Sequence, residues 1–444
     1  MPVEVLSNIL GFASHSPHDP ISQPIALSHV CRQWRQIALS TPSLWNFIYL
    51  SLPLSKSQLS RMCFWIIRSR NFPLDIYMDF RDPSWDWDEA SHVFDSKMMD
   101  GIMRFLVPHA SRWRSVELLT DTWAPIFTFL SYTATIDSAP LLQSIRLARC
   151  NEYFVALGET FRPAHLALPI AWFRGGASLT ELRHVSLSGV HVDWALSGLA
   201  GLRELELKYH ARDVMPSLSE FGHVLRANPA LERLVILGWG PRTDHALEYG
   251  SENGWGGDDE LYTIELPHLE ELEFGFVDAG YASDLLSLFV LPSLRELSIE
   301  DLAFGIQLCE RHDSSRVFDR LVESEKGALE RVASRIPLSR LRELTLRSIH
   351  ADKGSIQSFL GRLGGLASLC LDRVEATPLL DICSTLDLCE KLRVLTLKDV
   401  DPAAAALVLS SGSFPTRLRV FLDIENDDAD LEGDEGGDLH WALP

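Results

Sequence analysis

Asp428, Asp430, Glu432 and Gly433 stand near the end of the chain at the spacing of a calcium-binding loop. Such a loop needs a bidentate Glu at its twelfth position and a flanking helix. Leu439 occupies that position, no helix pattern follows, and the surrounding DIENDDADLEGDEGGDLHWALP reads instead as a solvated acidic tail. The fifteen histidines are scattered; His15 and His18 share a Pro-rich loop without a Cys or acidic partner set. Seven cysteines (31, 63, 150, 309, 370, 383 and 389) are never spaced CxxC, which suits free buried thiols in a reducing compartment. GxxxxGK[ST], HExxH and GxSxG are absent, as is GxGxxG after a strand. The expectation is a chain without catalytic residues, metal or cofactor.

One other chemistry-bearing pattern recurs. Glu204, Glu206, Glu271, Glu273, Glu296, Glu300 and Glu343 fall at equivalent places in a repeated hexamer, Leu-x-x-Leu-x-Leu with aliphatic or aromatic substitutes. It reads LRHVSL (182–187), LRELEL (202–207), LERLVI (231–236), LEELEF (269–274), LRELSI (294–299), LRELTL (341–346), LASLCL (366–371) and LRVLTL (392–397). LLQSIRL (141–147) precedes them, WRSVEL (113–118) is a degenerate early copy and LRVFLDI (418–424) a terminal one. A short strand points its paired leucines inward and the residues between them outward. Units of this kind bury their leucines only against neighbours, so they stack as a leucine-rich solenoid. The last three steps are 25, 26 and 26 residues and the earlier ones range from 20 to 47, so the array is irregular.

Between the hexamers, DLLSLFV (284–290), SIQSFLGRL (355–363) and LLDICSTLDL (379–388) carry helix-spaced apolar residues. Upstream, LSRMCFWIIRS (59–69) is helical in pattern, LDIYMDF (74–80) alternates like a strand, and MMDGIMRFL (98–106) leads into WRSVEL. Three residues past the last leucine, where leucine-rich repeats usually place Asn or Cys, stand Cys150, Val190, His210, Trp239, Val277, Leu302, Ile349, Val374 and Val400. The turns are therefore expected to be apolar.

Net charge is −21, which opposes affinity for nucleic acid or anionic lipid. No run approaches a membrane span, and no basic start followed by an apolar stretch marks a secretory leader. A cytoplasmic or nuclear protein-binding role fits.

The opening segment is short and amphipathic. Leu6, Ile9, Leu10 and Ala13 form one helical stripe, with Pro2 suited to the first turn. Leu27, Val30, Cys31, Trp34 and Ala38 form a second stripe over 25–39, and TPSLWNF (41–47) starts a third helix capped by Thr41. PVEVLSNIL followed by ALSHVCRQWRQIALSTPSLW resembles an F-box, with Met1 where the family has a Leu before the proline. The form VCRQWRQIALSTPSLW is similar to F-boxes of fungal proteins that carry irregular leucine-rich repeats behind.

The expected architecture is α/β, a three-helix F-box over 1–52, a leucine-rich-repeat-like solenoid over 53–425 and an acidic tail over 426–444. The resemblance implies that Pro2, Val3, Leu6, Ile9, Leu10, Val30, Trp34, Leu44 and Trp45 meet the Skp adaptor and, through it, a cullin. The chain would then be a substrate receptor of an SCF-type ubiquitin ligase. The other reading is a leucine-rich-repeat scaffold with no ligase role. In either, the seven glutamates would select a basic segment of a protein target, helped by the Gly-rich acidic loop 238–260.

Overall fold

The computed structural model describes residues 5–6, 9–11, 21–149, 155–156, 158–176, 179–242, 263–305, 313–326, 335–410 and 418–423. The architecture is mixed α/β, built on parallel strands. Two compact units form: residues 1–151 with 161–204, and residues 152–160 with 205–444. The 426–444 tail, Cys150, Cys309 and residues 243–260 of the long acidic loop lie outside the described residues.

In the first unit, β1 (Phe47–Ser51), β2 (Leu74–Asp79), β3 (Trp113–Thr120), β4 (Ser144–Arg149) and β5 (His184–Ser188) lie side by side in sequence order. Parallel neighbours require a crossover. Helices Lys56–Arg68, Ser96–Leu106 and Trp123–Thr133 supply the first three. Ser55 and Asp95 start two of them by accepting the backbone N–H of Gln58 and Met98. Each helix turns an apolar stripe to the sheet: Met62, Trp65 and Ile66, then Met99, Ile102, Met103 and Leu106. Two of these strands, β2 and β3, come from LDIYMDF and the degenerate WRSVEL.

In the second unit the order is β6 (Glu204–His210), β7 (Arg233–Gly238), β9 (Glu271–Phe276), β11 (Glu296–Asp301), β12 (Glu343–Arg347), β13 (Ser368–Asp372), β14 (Val394–Lys398) and β15 (Arg419–Asp423). A two-residue pair, β8 (Ile264–Glu265) with β10 (Phe289–Val290), stands apart. Every hexamer in this unit starts a strand, and the strands from β7 to β15 pair in register. Leu297 faces Leu344, then Leu369 and Leu395; Ile299 faces Leu346, Leu371 and Leu397. All eight are buried. Ala279–Leu286, Lys353–Leu360 and Ala376–Cys383 are the helices behind them, and 284–290 ends its helix early because Phe289–Val290 pairs as β10.

Among the described residues the turn position is closed and, His210 apart, apolar. Val190, His210, Trp239, Val277, Leu302, Ile349, Val374 and Val400 are all buried. One residue earlier the chain does something the pattern does not announce. Gly189, Tyr209, Gly238, Ser348, Arg373 and Asp399 all take positive φ, between 47° and 99°. This left-handed residue turns the strand out so that its successor points inward; only two of the six positions use glycine.

Two local expectations are corrected. Residues 25–39 are not one helix: Cys31 is extended and splits them into Ser22–His29 and Arg32–Ser40, its Sγ accepting the Trp34 N–H. Val30 and Trp34 therefore do not share a helical stripe. Thr41 does not cap the next turn either. Its hydroxyl donates back to the Ile37 carbonyl at 2.8 Å, and Pro42–Trp45 forms a 3₁₀ turn with no side-chain cap.

A Cβ on Gly238 would lie 2.5 Å from Val155 Cγ1, and its φ of 99° is unfavourable for any L side chain. Gly238→Ala should therefore lower stability by about 2 kcal/mol or more, whereas Ser348→Gly should fall within about 1 kcal/mol of neutral, as denaturant midpoints will show. Asp352 begins helix Lys353–Leu360, accepting the Gly354 and Ser355 N–H groups. Hydrogen bonds from the hydroxyls of Ser355 and Ser315 and from the backbone hold its carboxyl down to about 2. A depressed carboxylate stabilises above its unfolded pKa and loses that contribution as pH falls toward the folded value. The group is exposed, so an ordinary cap's worth of about 1 kcal/mol is expected. Unfolding curves of Asp352→Ala and wild type should differ by that amount at pH 7 and converge between about pH 4 and pH 2.

Candidate functional site

Two surfaces carry the residues singled out above. The first is the opening segment. Its last residues are structural: Leu44 and Trp45 are buried, and the Trp45 indole N–H donates to the Ala38 carbonyl at 2.8 Å. Trp45 also meets Trp65 edge-on at 5.5 Å, and the Arg68 guanidinium lies 5.1 Å above its ring. Leu6 and Leu10 are buried too. These four expected adaptor contacts are therefore core residues in the free chain, because they occupy the inner stripe of elements that need it to pack. Pro2 and Val3 lie outside the described residues.

What remains outside is apolar. Val30 is 61% exposed, Ile9 43%, and Trp34 is half-buried. Val5, Ile25 and Leu39, which the motif did not single out, join them on the surface. The signal for these three was present as the apolar residues left over once the buried stripe is assigned. Arg35 Nε donates to the Ser28 carbonyl at 3.1 Å and ties the two split helices together.

The second surface is the outward face of the β6–β12 strands, and it is less acidic than its composition. Arg233 sits among Glu206, Glu271 and Glu273; it bonds Glu271 at 2.7 Å and approaches Glu273 at 3.3 Å. Arg347 meets Glu273 at 2.7 Å, Asp372 at 3.2 Å and Glu300 at 3.9 Å. Arg373 holds Glu300 from the other side at 2.7 Å, and Lys208 pairs with Glu206 at 2.9 Å. Burial opposes charge on Arg233, but the bonds to Glu271 and Glu206 outweigh it and keep the guanidinium protonated well above its ordinary range. Burial pushes the Glu300 carboxyl up, against the pull of Arg373 and Arg347.

Four of the seven expected glutamates are thus neutralised within the face. Glu204 stands 3.7 Å from His184. Glu296 and Glu343 have no ion-pair partner among the described residues, and they face each other across β11 and β12, with Glu271 next in the row. Burial, then the charges of Glu343, Glu271 and Glu270, raise the Glu296 carboxyl. The continuous acidic strip read from sequence is corrected to a lattice of alternating charge with a short anionic edge. Partners up to 74 residues apart make the lattice, a separation no repeat pattern reveals.

The first unit holds one further polar arrangement that the sequence did not signal. His92 Nε2 lies 3.0 Å from Asp121 Oδ2, which also accepts the Asp82 N–H, fastening the loop after β2 to the end of β3. Among the described residues, no group of three or more His, Cys, Asp or Glu is placed to hold a metal ion, and no helix is long and apolar enough to cross a membrane.

A family model for F-box-like domains matches residues 1–51. No curated protein matches the chain. A crystal structure of a structural-genomics target from Bacteroides fragilis is similar at 12% identity and a TM-score of 0.33, over 81% of this chain and 76% of that one. A likeness that weak carries no argument about fold or function. Residues 1–51 therefore match an F-box-like domain.

Arg347→Met should cost about 1–2 kcal/mol, because Glu273, Glu300 and Asp372 each lose one cation and keep only Arg233 or Arg373. That penalty should shrink as pH falls, because burial already holds the Glu300 carboxyl up and loss of Arg347 removes a charge that opposes it. Glu343→Gln, by contrast, should stay within about 0.5 kcal/mol of wild type in the same urea titrations.

Proposed function

We propose that this chain is the substrate-recognition subunit of an SCF-type cullin–RING ubiquitin ligase, of the fungal type with irregular leucine-rich repeats. The observation that carries the reading is the F-box-like match over residues 1–51. F-box domains typically bind a Skp-type adaptor, which links them to a cullin. The exposed apolar set of Ile9, Val30 and Trp34, enlarged by Val5, Ile25 and Leu39, supports it: such a set on a small module asks for a protein cover. The eleven hexamers, each starting a strand, with leucines in register from β7 to β15, support a leucine-rich solenoid behind the F-box. The chain performs no chemistry itself, takes no cofactor, and works in the cytoplasm or nucleus.

The target would dock on the strand face. Its lattice leaves Glu296 and Glu343 free to meet a basic segment, so capture should weaken with salt. A scaffold with no ligase role is the second reading. It is favoured by one observation, that Leu6, Leu10, Leu44 and Trp45 serve the chain's own core.

Val30→Asp decides between them. Val30 is exposed, so the fold should survive, and circular dichroism checks that it does. Affinity for a purified Skp-type adaptor should drop by at least about 2 kcal/mol, as for a hot-spot residue. Ordinary binding by a folded Val30→Asp protein sinks the adaptor reading. Glu296→Lys with Glu343→Lys should abolish target capture while leaving adaptor affinity unchanged; persistence of capture moves the target to another surface.

A further inference from the structure

Between Asp19 and Asp75 the chain contains no acidic residue, although acids make up 61 of its 444 residues and a stretch of that length would ordinarily hold roughly seven. It does contain Arg32, Arg35, Lys56, Arg61, Arg68 and Arg70. All but Arg61 are exposed. In a chain of net charge −21 this tract carries six basic residues and no acid, and it does not stop where the F-box-like match stops at residue 51.

Helix Lys56–Arg68 continues it, with two large apolar side chains turned outward: Phe64 is 59% exposed and Ile67 71%. Its inner stripe of Met62, Trp65 and Ile66 is already packed, so Phe64 and Ile67 have no role in the fold. Phe64 and Arg68 are one turn apart on the same helix face. The Arg68 guanidinium reaches over the ring of Trp45, inside the F-box-like segment. The exposed Arg68 therefore caps buried Trp45, so the C-terminal end of this helix borders that segment.

We infer that the adaptor-docking surface extends past the F-box-like domain onto helix Lys56–Arg68, where Phe64 and Ile67 enter an apolar notch of the Skp-type adaptor rimmed by acidic residues. This rests on the adaptor reading above. The occupant follows from charge and continuity. The patch is cationic and apolar, so its cover must be anionic and apolar, and it joins the opening segment through Arg68 over Trp45. A second copy of the chain fits poorly, because the unmasked cationic tract would have to face itself in a two-fold contact.

The test is calorimetric titration of the full-length chain with purified Skp-type adaptor at low and high salt. Four proteins are compared: wild type, Val30→Asp, Phe64→Ala with Ile67→Ala, and Lys56→Gln with Arg70→Gln. All substituted positions are exposed, and matching thermal unfolding confirms that each protein is folded. The Phe64/Ile67 pair should weaken binding about tenfold or more. The Lys56/Arg70 pair should flatten the salt dependence. If wild type binds, Val30→Asp loses binding and the Phe64/Ile67 pair binds as wild type, the extension is wrong while the adaptor reading stands. If wild type does not bind, both fall. If the Phe64/Ile67 pair leaves adaptor affinity intact but turns a self-associated chain into a monomer on size exclusion, the face belongs to a second copy and the inference is overturned.

Discussion

The structure depends on one constraint: parallel strands this short cannot bury their own side chains. A single hexamer presents two inward leucines and nothing to cover them. Setting Leu297 beside Leu344, Leu369 and Leu395, in strict register, gives each leucine two neighbours and closes the row. A slip of one residue would send the whole row to solvent and bring the glutamates inside. The helices, the apolar turns and the left-handed residues all serve that register. A left-handed residue at Ser348, Arg373 and Asp399 costs conformational energy at each site. The return is that Ile349, Val374 and Val400 then point inward and extend the core beyond the strand.

The same constraint governs the opening segment. Its helices are too short to be stable in isolation and its apolar residues too few to make a separate core. β1 solves part of the problem by joining the sheet through Ile48 opposite Ile76 and Leu50 opposite Met78. Trp45 solves another part by packing against Trp65 and bonding Ala38. Anchoring the segment from its C-terminal end commits Leu44 and Trp45 to the interior. Val30, Ile25 and Leu39 remain outside, and with the flanking arginines they define a surface that is both sticky and cationic.

On the strand face, electrostatics follows the same rows. In-register pairing stacks equivalent residues about 4.8 Å apart, so a charge repeated in every unit would repel itself along the row. Arg233 and Arg347 interrupt the glutamates and bind carboxylates above, below and beside them. Half-buried pairs of this kind contribute modestly to stability, but they are costly to break singly. They also hold side chains in fixed positions. Among the described residues the interruption fails at Glu296 and Glu343, where the face keeps charge that a partner could neutralise.

The sequence by itself determined the strand positions, because the paired Leu-x-Leu leaves a period-two signature, and the strands beginning at Glu204, Glu271, Glu296 and Glu343 each start at the third residue of their hexamers. It also carried the opening motif, since the order Val-Cys-Arg-Gln-Trp and Pro-Ser-Leu-Trp is local. Tertiary structure decided the rest. Whether Trp45 or Val30 faces outward depends on Trp65, which lies in a later helix. Whether Glu273 is free depends on Arg347, far along the chain. Local patterns fix what a residue prefers; its exposure and its charge partner are set by contacts between segments that only the fold brings together.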